Sequence, residues 1–265
     1  MTPRQILKKW IYRYTPGLAG AFPYFGTRLY FPRNNSLWDR VCEQGIYEYV
    51  LLHQIESALR PDTWFFDVGA NIGLMSVPIL SQVPTAHVLS FEPSPNTKPF
   101  LEKTWSRSPW KDRWKIVAQA VGDKVGETSF CVSVPREAAC DSIRYTNRAE
   151  TAGTIVVPMT TLDEEWKALG RPAVSCLKLD IEGAEMLALA GARELIQAVQ
   201  PLIFLEWNRT NFEPFGCRPQ DLLEFADKFG YEALPVPGLC VITSVAILML
   251  HMCETETFAL VPKST

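Results

Sequence analysis

"FFDVGANIG", at residues 65–73, joins an apolar run to a glycine-containing turn through one acid, Asp67. The apolar run is typical of a strand that is buried on both faces, as in a parallel sheet. The residues that follow, "IGLMSVPILSQ" at 72–82, have the apolar spacing of a helix, so the stretch predicts a strand, a tight turn and a helix. In open α/β sheets, ligands bind beyond the carboxyl ends of the strands. We therefore expect Asp67 at a binding site.

The rest of the chain continues this alternation of strands and helices. Strands are predicted at 63–69, 87–93, 115–123, 174–183, 201–208, 231–236 and 256–262, with extra strands at 127–134 and 154–159. Helices are predicted at 47–59, 72–82, 96–107, 161–169, 184–198 and 219–230. The alternation predicts βαβ units, and hence an α/β fold with a mostly parallel sheet. Residues 1–45 are aromatic and irregular, and are predicted to form an N-terminal cap on a main domain at 46–265.

Composition narrows the class of protein. The chain has 265 residues, a net charge of -3 and 47% apolar residues, which disfavours a dedicated nucleic-acid binder. Its seven cysteines are scattered without a C-x-x-C pair, which favours free thiols in a reducing compartment over disulfides or a zinc site.

The N-terminus lacks the pattern of a secretory signal. The longest uncharged run, 233–253, is interrupted by proline and predicts a buried element with no transmembrane span. We expect a cytoplasmic protein.

The turn itself discriminates between ligands. A dinucleotide site would have G-x-G-x-x-G, whereas this turn runs from Gly69 to Gly73 as G-x-x-x-G. The anionic Asp67 would repel a pyrophosphate, which disfavours an NAD-dependent enzyme. S-adenosylmethionine offers an ammonium and a sulfonium group and no phosphate, and the two glycines would let the backbone approach it closely.

Two further acids end predicted strands on the same rim. Glu92 ends the second strand about 20 residues after the turn, where an acid can accept hydrogen bonds from both ribose hydroxyls. Asp123 ends the third strand, where the adenine edge would lie. The alternative for Asp123 is a tight turn without a ligand, since "GDKVG" favours turns by itself.

The set of motifs "FFDVGANIG", "SFEPSPNT", "AVGDKVGE", "LKLDIEGAE" and "PLIFLEWN" resembles the FkbM family of S-adenosylmethionine-dependent, class I methyltransferases. The resemblance covers roughly residues 45–262 in the family's order. It implies a Rossmann-like sheet of seven strands, helices on both faces and an antiparallel last strand at 256–262. It implies methyl transfer to a hydroxyl of a sugar, glycan, polyketide or other natural product. The cofactor contacts that it implies, with the neighbouring turn residue Ala70 added, are Asp67, Gly69, Ala70, Asn71, Gly73 and Glu92.

Methyl transfer to a hydroxyl needs either a general base or a divalent metal that acidifies the hydroxyl. Asp180 ends the fourth strand, and Glu206 and Asn208 end the fifth, so the three are expected on one rim near the methyl group. Their oxygens would suit Mg²⁺, and Asp180 alone would suit a base. His53 is a further candidate base, with an ordinary surface histidine as the alternative. Glu182 and Glu185 are expected at a helix start, where acids are favoured.

Other functions remain open at this level. A nucleic-acid methyltransferase is disfavoured because "DIEG" stands where an N/D-P-P-Y/F-type motif would follow the fourth strand. A module that binds S-adenosylmethionine without catalysis is disfavoured by the intact strand-end acids. The acceptor is expected to be encoded in the N-terminal cap and in residues 209–253. Neither the acceptor nor homo-oligomerisation follows from the sequence.

Overall fold

The computed structural model describes residues 3, 6–7, 20–32, 41, 44–134, 137, 140–146, 148–238 and 240–263. In chain order the strands are β1 (Ala21–Tyr24), β2 (Thr27–Tyr30), β3 (Trp64–Val68), β4 (His87–Phe91), β5 (Trp114–Val117), β6 (Ala120–Val121), β7 (Gly126–Ser133), β8 (Thr151–Thr160), β9 (Val174–Leu179), β10 (Leu202–Glu206), β11 (Tyr231–Pro235) and β12 (Thr257–Pro262). The α-helices are α1 (Tyr49–Ala58), α2 (Ser76–Gln82), α3 (Lys98–Arg107), α4 (Leu162–Ala168), α5 (Glu185–Ala190), α6 (Arg193–Val199), α7 (Arg209–Phe212), α8 (Pro219–Phe229) and α9 (Val245–His251).

The main sheet has seven strands in the order β11-β12-β10-β9-β3-β4-β5. β12 is antiparallel to both of its neighbours, whereas β10, β9, β3, β4 and β5 pair in parallel. This confirms the predicted mixed sheet and its antiparallel last strand. Because the parallel strands share one direction, the carboxyl ends of β3, β4, β9 and β10 meet at one edge.

The sheet is buried on both faces by separate apolar cores. Successive residues of β3 show the alternation: Phe65 belongs to the core formed with α1, α2, α3 and the β1–β2 hairpin, and Phe66 to the core formed with α4, α5, α6, α8 and α9. A strand between two helical layers needs apolar side chains on both faces, which explains the apolar run of β3 before Asp67. The predicted helices on both faces are confirmed.

Two predicted elements are divided. The strand predicted at 115–123 becomes β5 in the main sheet and β6 in a three-stranded sheet of order β6-β8-β7. The helix predicted at 184–198 breaks after α5, where Gly191 packs so closely on Gly122 that a Cβ would overlap the Gly122 carbonyl oxygen. The two changes are linked, because the close approach that needs Gly191 also holds the end of β6.

The N-terminal hairpin and the long uncharged run pack against the main sheet to different extents. The β1–β2 hairpin packs into the core beside α2 and α3, with the Tyr24 hydroxyl donating to the Leu74 carbonyl. Trp10, Tyr12 and Tyr14 lie outside the described residues. The run 233–253 contains α9, in which Leu248 is buried but Met249 and Leu250 are exposed, so it is only partly a buried element. Among the described residues, no helix has the length and apolar character needed to span a bilayer.

Candidate active site

A cavity of about 220 Å³ lies at the carboxyl ends of β3, β4, β9 and β10. The turn after β3 forms one wall and is fixed to both neighbouring strands: Gly69 and Ala70 donate backbone hydrogen bonds to the Phe91 carbonyl, and the Asp180 amide donates to the Val68 carbonyl. Gly69 has a φ of 79°, and a Cβ there would overlap the backbone oxygen of Asp180. The glycine therefore lets the turn lie directly against the end of β9.

Asp67 lies beneath this turn in a buried polar network. One carboxylate oxygen accepts a 2.5 Å hydrogen bond from the Ser76 hydroxyl, while the other has no hydrogen-bond partner and lies 3.9 Å from the Lys178 ammonium. Lys178 pairs more closely with Asp180, at 2.9 Å. Burial raises the pKa of Asp67, and Lys178 partly offsets this. Burial alone would lower the pKa of Lys178, but Asp180 and Asp67 outweigh it and raise that pKa. Two acids thus share one buried cation.

Glu92 lies beside the turn with both oxygens held by the backbone. The Asn71 amide donates to Oε2 and the Ser94 amide to Oε1, each at 2.8 Å. Asn71 reaches this position with a positive φ of 53°. Burial raises the pKa of Glu92 to about 7 against the lowering effect of the two amides. Two backbone amides therefore fix the orientation of a carboxylate that lines the cavity.

A cluster of acids at the other end of the cavity surrounds one arginine. The Arg148 guanidinium lies 3.1 Å from Glu182, 2.8 Å from Glu206 and 3.2 Å from Glu256. The Asn211 amide also bridges Glu182 and Glu206, at 2.9 and 2.7 Å. Burial raises the pKa of Glu182 to about 7, with Arg148 opposing it. Burial and the neighbouring Glu182 and Asp180 raise the pKa of Glu206 further.

Two of the three residues predicted to hold Mg²⁺, Asp180 and Glu206, lie in one cluster of acids. Within the described chain, the carboxylates close enough to share an ion are those of Asp180, Glu182 and Glu206, all within 4.8 Å of one another. Asn208 is not a candidate ligand, because its side-chain oxygen accepts from the Asn211 amide and caps α7. Arg148 already donates to Glu182 and Glu206. As placed, the cluster binds a guanidinium group and does not fit Mg²⁺.

The structure brings seven of the predicted residues to the cavity and leaves four outside it. Those that line it are Asp67, Gly69, Ala70, Asn71, Glu92, Asp180 and Glu206. Gly73 packs beneath the turn against Leu101. The Asn208 side-chain amide donates a hydrogen bond to the Glu206 carboxylate. Asp123 is exposed at the end of β6, and His53 is exposed on α1, where it stacks on Tyr49. Neither Asp123 nor His53 is placed to act on a ligand in this cavity.

Three residues of the site were missed in the sequence. Lys178 left a signal, since a lysine inside an apolar strand must find a charged partner when it is buried. Arg148 and Asp141 also line the cavity, but both come from the segment between β7 and β8, where no periodic pattern indicates their direction. The acceptor was expected to contact residues of 209–253 and of the cap. None of the described residues in these two regions lines the cavity, whereas residues of 47–51, just after the cap, do.

A family model and two curated proteins match this chain. The family model described as "Methyltransferase FkbM domain" matches residues 67–233, which is more than half of the chain. The chain is 26% identical to methyltransferase sdnD of Sordaria araneosa over 68% of this chain and 79% of that protein. It is 26% identical to hexuronic acid methyltransferase AglP of Haloferax volcanii over 56% of this chain and 57% of that protein.

A solved structure shows a similar fold. The crystal structure of methyltransferase FkbM from Methylobacillus flagellatus KT superimposes with a TM-score of 0.50 at 16% identity, covering 97% of this chain and 59% of that chain. The chain spans between 10% and 79% of the length of the curated relatives that it matches. The matched region begins at Asp67 and includes the turn, Glu92, Asp180 and Glu206, and on this basis the chain belongs to the FkbM methyltransferase family.

Proposed function

We propose that the chain transfers a methyl group from S-adenosylmethionine to a hydroxyl of a sugar, glycan, polyketide or other natural product. One observation carries this proposal. One cavity is lined by the glycine turn, Glu92, Asp180 and Glu206. This is the arrangement that a cofactor and an acceptor meeting at one methyl group would need.

The cofactor end fits an adenosyl ligand with a positive charge. A carboxylate can accept about four hydrogen bonds, and Glu92 uses two of them on backbone amides, which leaves capacity for two ribose hydroxyls. Asp67 and Asp180 carry two negative charges against the one positive charge of Lys178. The ammonium or sulfonium group of the cofactor would balance the remaining negative charge.

The acceptor end offers a base beside that charge. Asp180 is the partly exposed member of its ion pair, with 32% of its side chain accessible, whereas 5% of the Lys178 side chain is accessible. Lys178 restricts where the Asp180 carboxylate can point. An oriented carboxylate next to the sulfonium can accept the hydroxyl proton while the oxygen attacks the methyl carbon in line with sulfur. In this proposal Asp180 is the base and no metal takes part.

The charges along the cavity bear on the acceptor. Among the described residues that line it, two are cationic, Arg148 and Lys178, and eight carry carboxyl groups: Glu48, Asp67, Glu92, Asp141, Asp180, Glu182, Glu206 and Glu256. Such a lining disfavours polyanionic acceptors such as nucleic acids. The printed name of AglP, a hexuronic acid methyltransferase, supports the sugar part of the proposal.

The experiment is transfer of labelled methyl from S-adenosylmethionine to a panel of glycosides, oligosaccharides and polyketides. We expect turnover to survive EDTA and to fall by about 10²–10⁴-fold in Asp180→Asn, because the amide cannot accept the proton. Glu224→Gln, an exposed acid on α8, is the matched control. Unchanged turnover in Asp180→Asn would contradict the base, and loss with EDTA that Mg²⁺ restores would favour a metal. Cofactor binding without transfer to any acceptor would favour a non-catalytic module.

A further inference from the structure

Asp141 lies in the wall of the same cavity and is engaged on every side by hydrogen-bond donors. Its Oδ2 accepts from the Ser94 hydroxyl at 2.5 Å and from the Asn96 amide group at 3.4 Å, and its Oδ1 accepts from the Ser133 backbone amide at 2.6 Å. A partly buried carboxylate with three donors is held in one orientation. Asp141 therefore fixes the positions of the groups that donate to it.

The most important of these donors is Ser94, because Ser94 also holds Glu92. Its backbone amide donates to Glu92 Oε1 at 2.8 Å, while its hydroxyl donates to Asp141. The other Glu92 oxygen is held by the glycine turn through Asn71. Glu92 is thus fixed from two sides, by the turn after β3 and by Ser94 with Asp141 behind it.

Charge does not explain why an acid stands here. Asp141 adds to the factors that raise the pKa of Glu92, although burial is the largest of them, so the two carboxyls repel each other. The hydrogen bonds from Ser94, Asn96 and Ser133 favour the ionised form of Asp141 in spite of this repulsion. The geometry of Ser94 is the feature that those hydrogen bonds secure.

The segment that carries Asp141 is itself fixed at its next residue. The Ser142 hydroxyl donates to the Glu182 carbonyl at 3.0 Å, and Ser142 forms an isolated antiparallel bridge with Cys131. These contacts tie the wall to the loop after β9 and to β7. Asp141 therefore acts from a fixed support and not from a free loop.

We propose that Asp141 is a cofactor-positioning residue, which acts through Ser94 to hold Glu92 at the ribose end of the cleft. The inference rests on the proposed function, since it takes the ribose diol as the ligand of Glu92. It assigns to Asp141 an indirect role at the cofactor end, where the sequence had placed Asp123.

The test compares two ligands, S-adenosylhomocysteine and its 2′,3′-dideoxy analogue, by calorimetry on the full chain. Asp141→Asn keeps the shape of the side chain but lacks one acceptor, and we expect it to weaken S-adenosylhomocysteine by about tenfold, the value of one charge-assisted hydrogen bond. The dideoxy analogue lacks the diol, so its affinity should stay within about twofold of the wild-type value. Asp112→Asn, an exposed acid, is the matched control and should change neither ligand.

Equal weakening of both ligands in Asp141→Asn would overturn the inference, because it would show a general effect on the wall. Unchanged affinity for both would overturn it as well. Ser94→Ala, which removes the hydroxyl and leaves Asp141 in place, provides a second variant and should show the same selectivity. Glu92→Gln is measured in parallel. If Glu92→Gln also weakens both ligands equally or neither, the proposed cofactor site is wrong. If Glu92→Gln weakens only S-adenosylhomocysteine but Asp141→Asn does not, only the role of Asp141 is wrong.

Discussion

At the scale of single residues, Gly69 tests whether the turn must touch β9. Gly69→Ala would place a Cβ on the backbone oxygen of Asp180 in a left-handed conformation, so we expect a loss of about 2–4 kcal/mol in the free energy of unfolding. Gly216 has a similar φ of 76° but no atom within 4 Å of its would-be Cβ. Gly216→Ala should therefore cost only the conformational strain, about 1 kcal/mol. Equal losses in urea unfolding of the two variants would contradict the close contact.

Glu185 gives a prediction about pH. Burial raises its pKa to about 8 from an ordinary value of 4.5, although the Ile181 and Gly183 amides donate to one oxygen. The folded state then keeps a proton that the unfolded state releases, so the stabilisation is complete below about pH 4.5 and is lost as the pH rises towards 8. One proton corresponds to a slope of at most about 1.4 kcal/mol per pH unit.

Glu185→Gln removes this titration while keeping the shape of the side chain. We expect the unfolding free energy of the variant to fall less steeply between pH 5 and pH 8 than that of the wild type, as measured by urea titrations across that range. Glu164→Gln, an exposed acid on α4, is the control. Parallel pH profiles for wild type and Glu185→Gln would show that Glu185 is ionised throughout.

At the scale of elements, Arg148 joins the segment before β8 to the ends of β9 and β10. Arg148→Gln leaves Glu182 and Glu206 without their cation, and their pKa values, which burial raises already, should rise further. When the pKa of an acid is raised in the folded state, the free energy of unfolding falls as the pH rises. The variant should therefore be about as stable as wild type near pH 5 and less stable by about 2–4 kcal/mol at pH 8. Arg144→Gln, on the same segment, is the control for chemical denaturation. A deficit that does not change with pH would contradict the electrostatic role.

Prediction from sequence succeeded where a periodic pattern or a chain position carried the information. The apolar strands and the acids that follow them placed Asp67, Glu92, Asp180 and Glu206 on one edge, because parallel strands must end together. The exposure of His53 could also have been predicted, since Leu51, Leu52 and Ile55 define the buried stripe of α1 and leave it outside.

Prediction failed where contacts across the chain decided the outcome. Asp123 was placed at the end of a single strand, but that stretch divides into β5 and β6 in two sheets, and Gly122 after β6 packs against Gly191. Asn208 was taken as a metal ligand, but its oxygen caps α7. Arg148 and Asp141 lie in an aperiodic segment, and only the folded chain shows that they face the cavity.

At the scale of the whole molecule, the charge of the cleft should distinguish cofactor from product. S-adenosylmethionine carries a sulfonium charge that S-adenosylhomocysteine lacks, and the described lining has more carboxyl than cationic groups. Salt screens such attraction, so the affinity for S-adenosylmethionine should fall more between 20 and 500 mM salt than that for the product, by roughly threefold or more. Calorimetry with both ligands at each salt concentration measures this. Identical salt dependence for the two ligands would show that the carboxylates of the cleft do not attract the sulfonium.

The central claim is that the cleft at the strand ends binds S-adenosylmethionine, and the most direct measurement is calorimetric titration of the full chain with S-adenosylhomocysteine and, separately, with NAD. We predict one site with a dissociation constant in the micromolar range, roughly -8 kcal/mol, for S-adenosylhomocysteine and no measurable binding of NAD. Asp67→Ala and Glu92→Ala should each weaken the former by about 1.5–3 kcal/mol, since each leaves charged or paired donors unmatched. Wild-type affinity in both variants, or binding of NAD in place of S-adenosylhomocysteine, would contradict the claim.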